Sequence, residues 1–291
     1  MTHRVMYETI LLPYDGTEGA DAVLDHACEI ARWADATIHL LYVADTTRDS
    51  VTVIDGGVVD VLERKGERLL GAAADRLKSA DIAHSTHIVQ GNPAPTIVEY
   101  AEQSNLDLLV MPTHGREGVS RYLNGSVSEK VVRLSSRPVL TVRLQSNETL
   151  AFPYQRILIP TDGSEAAADA AAHTLSLAAA LDATVHVLSV VDDSGLDENL
   201  RSVVSRRDPE TEATAAIEAV VAEADTQGID DPVQRVEHGS PTKQIREYVE
   251  SNSIQAIGMG TTGRRGTDRI LLGSVAENTV RSAPVPVLTL N

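Results

Sequence analysis

Cysteine is almost missing from this sequence: Cys28 is the only one in 291 residues, which excludes an intramolecular disulfide, a C-x-x-C pair and any cysteine-built zinc site. Lysine is scarce, with 4 against 21 arginines, and bases as a group are outnumbered by 42 acids to 25. The net charge of −17, split at Ser146 into −6 and −11, argues against nucleic acid or an anionic membrane as partner. No apolar run approaches the ~18 residues of a membrane span, and Met1 to Glu8 has no apolar h-region, so the expected location is the cytoplasm. There is no G-x-x-x-x-G-K-[ST], hence no P-loop. Neither a Ser/His/Asp nor a Cys/His arrangement recurs in the two halves, and no carboxylate pair is evident, so catalysis has little support.

What the sequence does have is a duplication. At an offset of 147, Tyr7-Glu8-Thr9-Ile10-Leu11-Leu12-Pro13-Tyr14-Asp15-Gly16 meets Tyr154-Gln155-Arg156-Ile157-Leu158-Ile159-Pro160-Thr161-Asp162-Gly163. After a one-residue shift to 148, Gly91-Asn92-Pro93 meets Gly239-Ser240-Pro241, Gly125-Ser126-Val127 meets Gly273-Ser274-Val275, and Pro138-Val139-Leu140-Thr141 meets Pro286-Val287-Leu288-Thr289. A repeat of this length is a whole domain, and each copy is long enough to bury its own core. The expected division is a domain over 1–146, a linker over 147–153 and a second domain over 154–291.

Each copy alternates short apolar runs with amphipathic stretches. Ile10 to Pro13 ends at Asp15-Gly16 as a strand buried on both faces would, and Val23, Ala27, Ile30, Ala31 and Ala34 then recur at helical spacing. The pattern βαβαβαβαβ predicts two tandem doubly wound, Rossmann-like α/β domains. Each is a five-stranded parallel sheet, taken in the order 3-2-1-4-5, with about four helices. In such sheets a ligand lies beyond the carboxyl ends of the strands where the winding reverses, here between strands one and four.

The loop after strand four carries the chemistry. From Gly260 through Gly263 to Gly273-Ser274 it holds glycines that let the backbone approach a ligand, Arg264, Arg265 and Arg269, and a following helix whose free N–H groups suit an anion. Ser274 and Glu277 have the spacing of an S-x-x-E capping box. Gly258-x-Gly260-x-x-Gly263 also matches the dinucleotide fingerprint, but the helix begins about ten residues too late and in the fourth βα unit, not the first. The loop therefore reads as a phosphate cradle of another kind.

An Asp after strand one together with G-x-x-G-x9-G-[ST] after strand four resembles the universal stress protein (UspA) superfamily, in its ATP-binding branch, over both halves of the chain. The resemblance implies ATP or AMP lying across the strand ends. It assigns Pro160, Asp162, Val190, Gly260, Gly263, Arg264, Gly273, Ser274 and Val275 to the second site. The first takes Pro13, Asp15, Val43, Gly115, Arg116, Gly125, Ser126 and Val127, with Arg121 as a further phosphate neighbour. Pro112 departs from the motif, standing where the second copy has Gly260. Asp15 and Asp162 could take Mg²⁺ or Mn²⁺ with the nucleotide, or be structural. The resemblance also implies that strand five of one domain pairs with strand five of the other as an internal pseudo-dimer, with a homodimer of chains left open. Function is expected to be non-catalytic nucleotide binding in stress response or signalling; a slow ATP hydrolase and a nucleotide-free assembly hub are the alternatives. His26 and His173, and His39 and His186, recur away from the crevice and read as structural residues, and His114 has Thr262 as its counterpart. The acid-rich, lysine-poor composition is similar to that of proteins from salt-accumulating halophiles.

Overall fold

The structure is a computed structural model that describes residues 6–45, 57–113, 127–143, 150–192, 208–262 and 272–291. The chain forms two compact units, divided between Phe152 and Pro153.

The first unit runs β1 (Thr9–Pro13), α1 (Glu18–Ala34), β2 (Thr37–Asp45), α2 (Gly57–Ser79), β3 (His84–Gly91), α3 (Pro93–Gln103), β4 (Leu108–Pro112), α4 (Val127–Leu134), β5 (Val139–Val142). The second runs β6 (Arg156–Pro160), α5 (Glu165–Leu181), β7 (Thr184–Val191), α6 (Pro209–Thr226), β8 (Val233–His238), α7 (Pro241–Ser251), β9 (Ala256–Gly260), α8 (Ser274–Ser282), β10 (Val287–Leu290). Within the units the strand orders are β3-β2-β1-β4-β5 and β8-β7-β6-β9-β10, all pairs parallel. Both units are thus the doubly wound α/β fold of order 3-2-1-4-5.

Local chemistry repeats along with the fold. Thr17 and Ser164 cap α1 and α5 by accepting the N–H of Ala20 and Ala167. Asp35 and Asp182 end those helices in the left-handed region at φ 53° and 54°, a conformation that short polar side chains tolerate. Pro93, Pro209 and Pro241 each sit at a helix start, where the missing N–H removes no helical bond. The start of each first strand is clamped from the start of the fourth. Asp107 Oδ2 accepts the N–H of Glu8 and Thr9, and Gln255 Oε1 accepts those of Gln155 and Arg156.

Central strands are aliphatic and buried, as sheets covered on both faces require: Ile10, Leu11 and Leu12 of β1 and Ile157, Leu158 and Ile159 of β6 have no exposed surface. The two cores are packed differently at one matched point. Gly258 of β9 lies so close to α5 that a Cβ there would stand 2.0 Å from Thr174 Oγ1. In the first unit the matching positions hold Val110 and Ala27, both fully buried. Bulk has moved from helix to strand while the sum is kept, as close-packed interiors demand. Phe152, the only phenylalanine, meets His26 and Trp33 of α1 edge-on at 5.9 and 5.8 Å.

Candidate nucleotide site

Backbone hydrogen bonds open a crevice in each unit. After β1, the N–H of Tyr14 bonds to Leu41 O of β2, while after β4 the N–H of Thr113 bonds to Val142 O of β5. In the second unit Thr161 bonds to Leu188 O and Thr261 to Leu290 O. The first and fourth strands are therefore drawn to opposite neighbours as they end. Their own pairing stops early: β1 and β4 are in register only at Ile10–Leu108 and Leu11–Leu109, and β6 and β9 only at Ile157–Ala256 and Leu158–Ile257. The crevice at the reversal of winding is thus built by the sheet itself.

Asp15 and Asp162 stand at its first-strand lip. Asp15 Oδ1 accepts both the N–H and the hydroxyl of Thr17, and Asp162 Oδ1 accepts the N–H of Ser164. Each carboxylate thereby shapes the turn into the following helix, which supports a structural role whatever else it binds. Gly16 and Gly163 complete these turns at φ 74° and 73°. Pro13 and Pro160 are the last residues of their strands, and Val43 and Val190 lie partly buried near the carboxyl ends of β2 and β7.

On the fourth-strand side, Gly273 N–H bonds to Thr261 O at 2.7 Å and closes the base of the glycine loop. Gly273, not Ser274, is the N-cap of α8 at φ −64° and ψ 144°, so the capping box read from the sequence does not form. Gly273 O accepts the N–H of Glu277 instead, and the Ser274 side chain is exposed with no hydrogen bond to another described residue. Its hydroxyl stands at the first turn of a nine-residue helix, on the side of the crevice where an anion would meet the helix N-terminus. Val275 is partly buried and packs against the core of the second unit, and Val127 opens α4 37% exposed. Gly115, Arg116, Gly125, Ser126, Gly263 and Arg264 lie outside the described residues, as do His114, Arg121, Arg265 and Arg269.

Gly260 has a second reason to be glycine. A Cβ there would lie 2.6 Å from the carbonyl oxygen of Ala166, in the first turn of α5. Along β9 the N–H groups of Ile257 and Thr261 face β10, so alternation turns that of Gly260 toward β6, where pairing has already ceased. Pro112 occupies the same place on β4, and for the same reason costs the sheet no hydrogen bond. It removes one crevice-facing donor. Among the described residues no cluster of three or more His, Cys, Asp or Glu could hold a metal ion, and no helix is long and apolar enough to cross a membrane.

The repeat-matched histidines His26, His173, His39 and His186 sit away from this crevice. Burial lowers His26 and His173 from 6.5 to about 4. Glu29 Oε2 is 3.6 Å from His26 Nδ1, too far for a hydrogen bond, and burial alone sets the direction of the shift. His186 shares a hydrogen bond with the hydroxyl of Tyr248 at 3.0 Å, whereas His39 stacks on His87 at 5.6 Å. Burial lowers both His39 and His186, helped by His87 and by Arg156 respectively.

The family model described as Universal stress protein family matches residues 6–143 and again 153–291. The chain belongs to the universal stress protein family. Universal stress protein MJ0531 of Methanocaldococcus jannaschii is 37% identical over 146 residues, covering 49% of this chain and 86% of that protein. Universal stress protein YxiE of Bacillus subtilis is 30% identical over 152 residues, 47% of this chain and all of that protein. Each of these relatives corresponds to about one of the two repeats. A universal stress protein from Archaeoglobus fulgidus has the tandem arrangement: its crystal structure matches with a TM-score of 0.75 over 100% of this chain and 98% of its own, at 23% identity. That likeness speaks to the fold.

Proposed function

We propose that this universal stress protein binds an adenine nucleotide, ATP or AMP, at the crevice of each domain and uses occupancy as a signal in stress response rather than turning the nucleotide over. The observation that carries the reading is the parting of β6 and β9 over a loop base closed by Gly273, which sets the exposed Ser274 and the N-terminal turn of α8 beside the crevice. An anion with several acceptor oxygens matches that set of donors. Gly260, Gly263, Gly273, Ser274 and Arg264 would hold the phosphates, Asp162 and Val190 the adenosine, and Pro160 and Val275 would flank it. The equivalent group in the first domain is Pro13, Asp15, Val43, Gly115, Arg116, Gly125, Ser126 and Val127. Mg²⁺ or Mn²⁺ would enter with the phosphates, since Asp15 keeps one carboxylate oxygen unbonded among the described residues. A cytoplasmic location belongs to the same proposal.

The test is mass spectrometry of small molecules released by denaturing the purified protein, joined to ATP titration of the chain and of its Gly263→Asp and Gly115→Asp variants. Nucleotide that co-purifies or titrates, and is reduced by each variant, is the expected result. No nucleotide and no titration would leave the crevice as architecture and favour an assembly hub; steady release of ADP or AMP would favour a slow hydrolase.

The same titrations rank the two sites. With Pro112 in place of a donor, the first site is expected to bind about two- to tenfold more weakly than the second, the worth of one hydrogen bond. Equal affinities in Gly263→Asp, which reports the first site, and Gly115→Asp, which reports the second, would refute that ranking.

A further inference from the structure

The first domain ties its Asp15 turn to α2 through side chains that the second domain replaces. Tyr14, buried next to Asp15, donates its hydroxyl to Asp21 Oδ1 at 2.6 Å. The same oxygen accepts from Arg76 Nη1 of α2 at 2.6 Å, and Arg76 Nη2 reaches Asp25 Oδ1 at 2.6 Å. Gly16 in the same turn is pressed against α2, where an added Cβ would be 2.4 Å from Leu69 Cδ2. Strand end, turn, first helix and second helix are thereby cross-linked around the carboxylate lip of the first crevice.

In the second domain the corresponding residues are Thr161, Ala168 and Glu223, so hydroxyl, carboxylate and guanidinium are all replaced. Thr161 instead accepts the N–H of Gly163 at 3.1 Å, a bond wholly within the turn. Burial and the Asp21 hydrogen bond push the Tyr14 phenol up to about 12, so it remains a donor throughout the physiological range. The charged members are 41% (Arg76), 48% (Asp21) and 74% (Asp25) exposed, and salt therefore screens them.

We propose that Tyr14 and Arg76 are positioning residues of the first nucleotide site, fixing the Asp15 turn through Asp21, so that this site depends on an ion-pair brace whose members are replaced in the second domain. The inference rests on the nucleotide reading above. A turn held in place before the ligand arrives loses less freedom on binding, and the affinity of the first site then includes the integrity of the brace.

The experiment uses the full chain carrying Gly263→Asp, so that calorimetric ATP titration reports the first site, at about 0.1 M and about 2 M KCl, roughly ten and under three ångströms of screening length. Tyr14→Phe keeps the ring and Arg76→Gln keeps most of the stem. Each is expected to weaken binding about fivefold at low salt, the pair together no more than about twofold beyond either alone. At high salt Arg76→Gln and the parent converge, which a packing defect would not produce, whereas the loss in Tyr14→Phe, a hydrogen bond from a neutral buried phenol, persists. Arg76→Lys restores part of the loss at low salt, and the same substitutions in a Gly115→Asp background leave the second site unchanged. Affinities equal to the parent's at low salt, or an Arg76→Gln loss that persists undiminished at high salt, overturn the brace while leaving nucleotide binding intact. Binding confined to the second site overturns it too, and absence of binding at both sites removes the nucleotide reading with it.

Discussion

Gly258→Val is expected to destabilise the second domain by about 3 kcal/mol, and Thr174→Ala in the same chain to restore most of that loss. The strand and the helix cannot both carry bulk here: a Cβ on Gly258 would lie 2.0, 2.4 and 2.7 Å from Oγ1, Cγ2 and Cβ of Thr174. Thr174 has nowhere to turn, because it is buried and its hydroxyl is bonded to Ala170 O at 2.7 Å within α5. Overpacking of this kind costs about 1–3 kcal/mol or more, as the side chain or the helix is driven from its minimum. Thr174→Ala alone should cost about 1 kcal/mol, through lost contacts and a small cavity. The double variant recreates the Val110 and Ala27 pair of the first domain, and valine suits a strand better than glycine does. Chemical denaturation of the four proteins gives the coupling directly. Additive losses would show that the helix simply shifts to make room.

The Gly258 contact illustrates which parts of the molecule were legible in the sequence. Duplication and strand order could be read because buried strands demand short aliphatic runs and their ends demand Asp-Gly turns, both visible locally at Ile10 to Gly16 and Ile157 to Gly163. The crevice followed from topology. Gly258 itself could be read only as one glycine of a fingerprint with the wrong context, since its reason lies in Thr174, 84 positions away on another element. The Tyr14–Asp21–Arg76 brace was hidden in the same way, by the 55 positions between Asp21 and Arg76. Ser274 illustrates a different limit. S-x-x-E is compatible with a cap at either of two adjacent residues, and the extended conformation of Gly273, tied to Thr261, decides for the glycine. The arginines of the loops, outside the described residues, retain only their sequence reading.

Both domains are expected to lose stability as pH falls from about 6.5 toward about 4, because each holds a neutral histidine in its first helix, buried in the first domain and partly buried in the second. His26 and His173 have pKa values lowered from 6.5 to about 4 by burial. Between those values the unfolded chain binds a proton that the folded domain refuses, so stability rises with pH across the window and falls on acidification. The full difference is about 3 kcal/mol for each histidine, with roughly 2 kcal/mol already lost near pH 5. His39 and His186, also lowered by burial, act in the same sense. Glu29 opposes it: burial raises its pKa, and taking up a proton in the folded state recovers part of the loss. Its carboxylate is 45% exposed while the His26 side chain is 1% exposed, so the imidazole dominates. Urea denaturation followed at several pH values, with His26→Gln and His173→Gln, separates the contributions. Each variant is less stable at neutral pH, since glutamine must be accommodated where an imidazole packs, but the dependence of stability on pH is the quantity that matters. It should flatten for the domain that carries the change and persist in the other. A slope unaltered by both substitutions would assign acid sensitivity to other groups and leave these two histidines as packing alone.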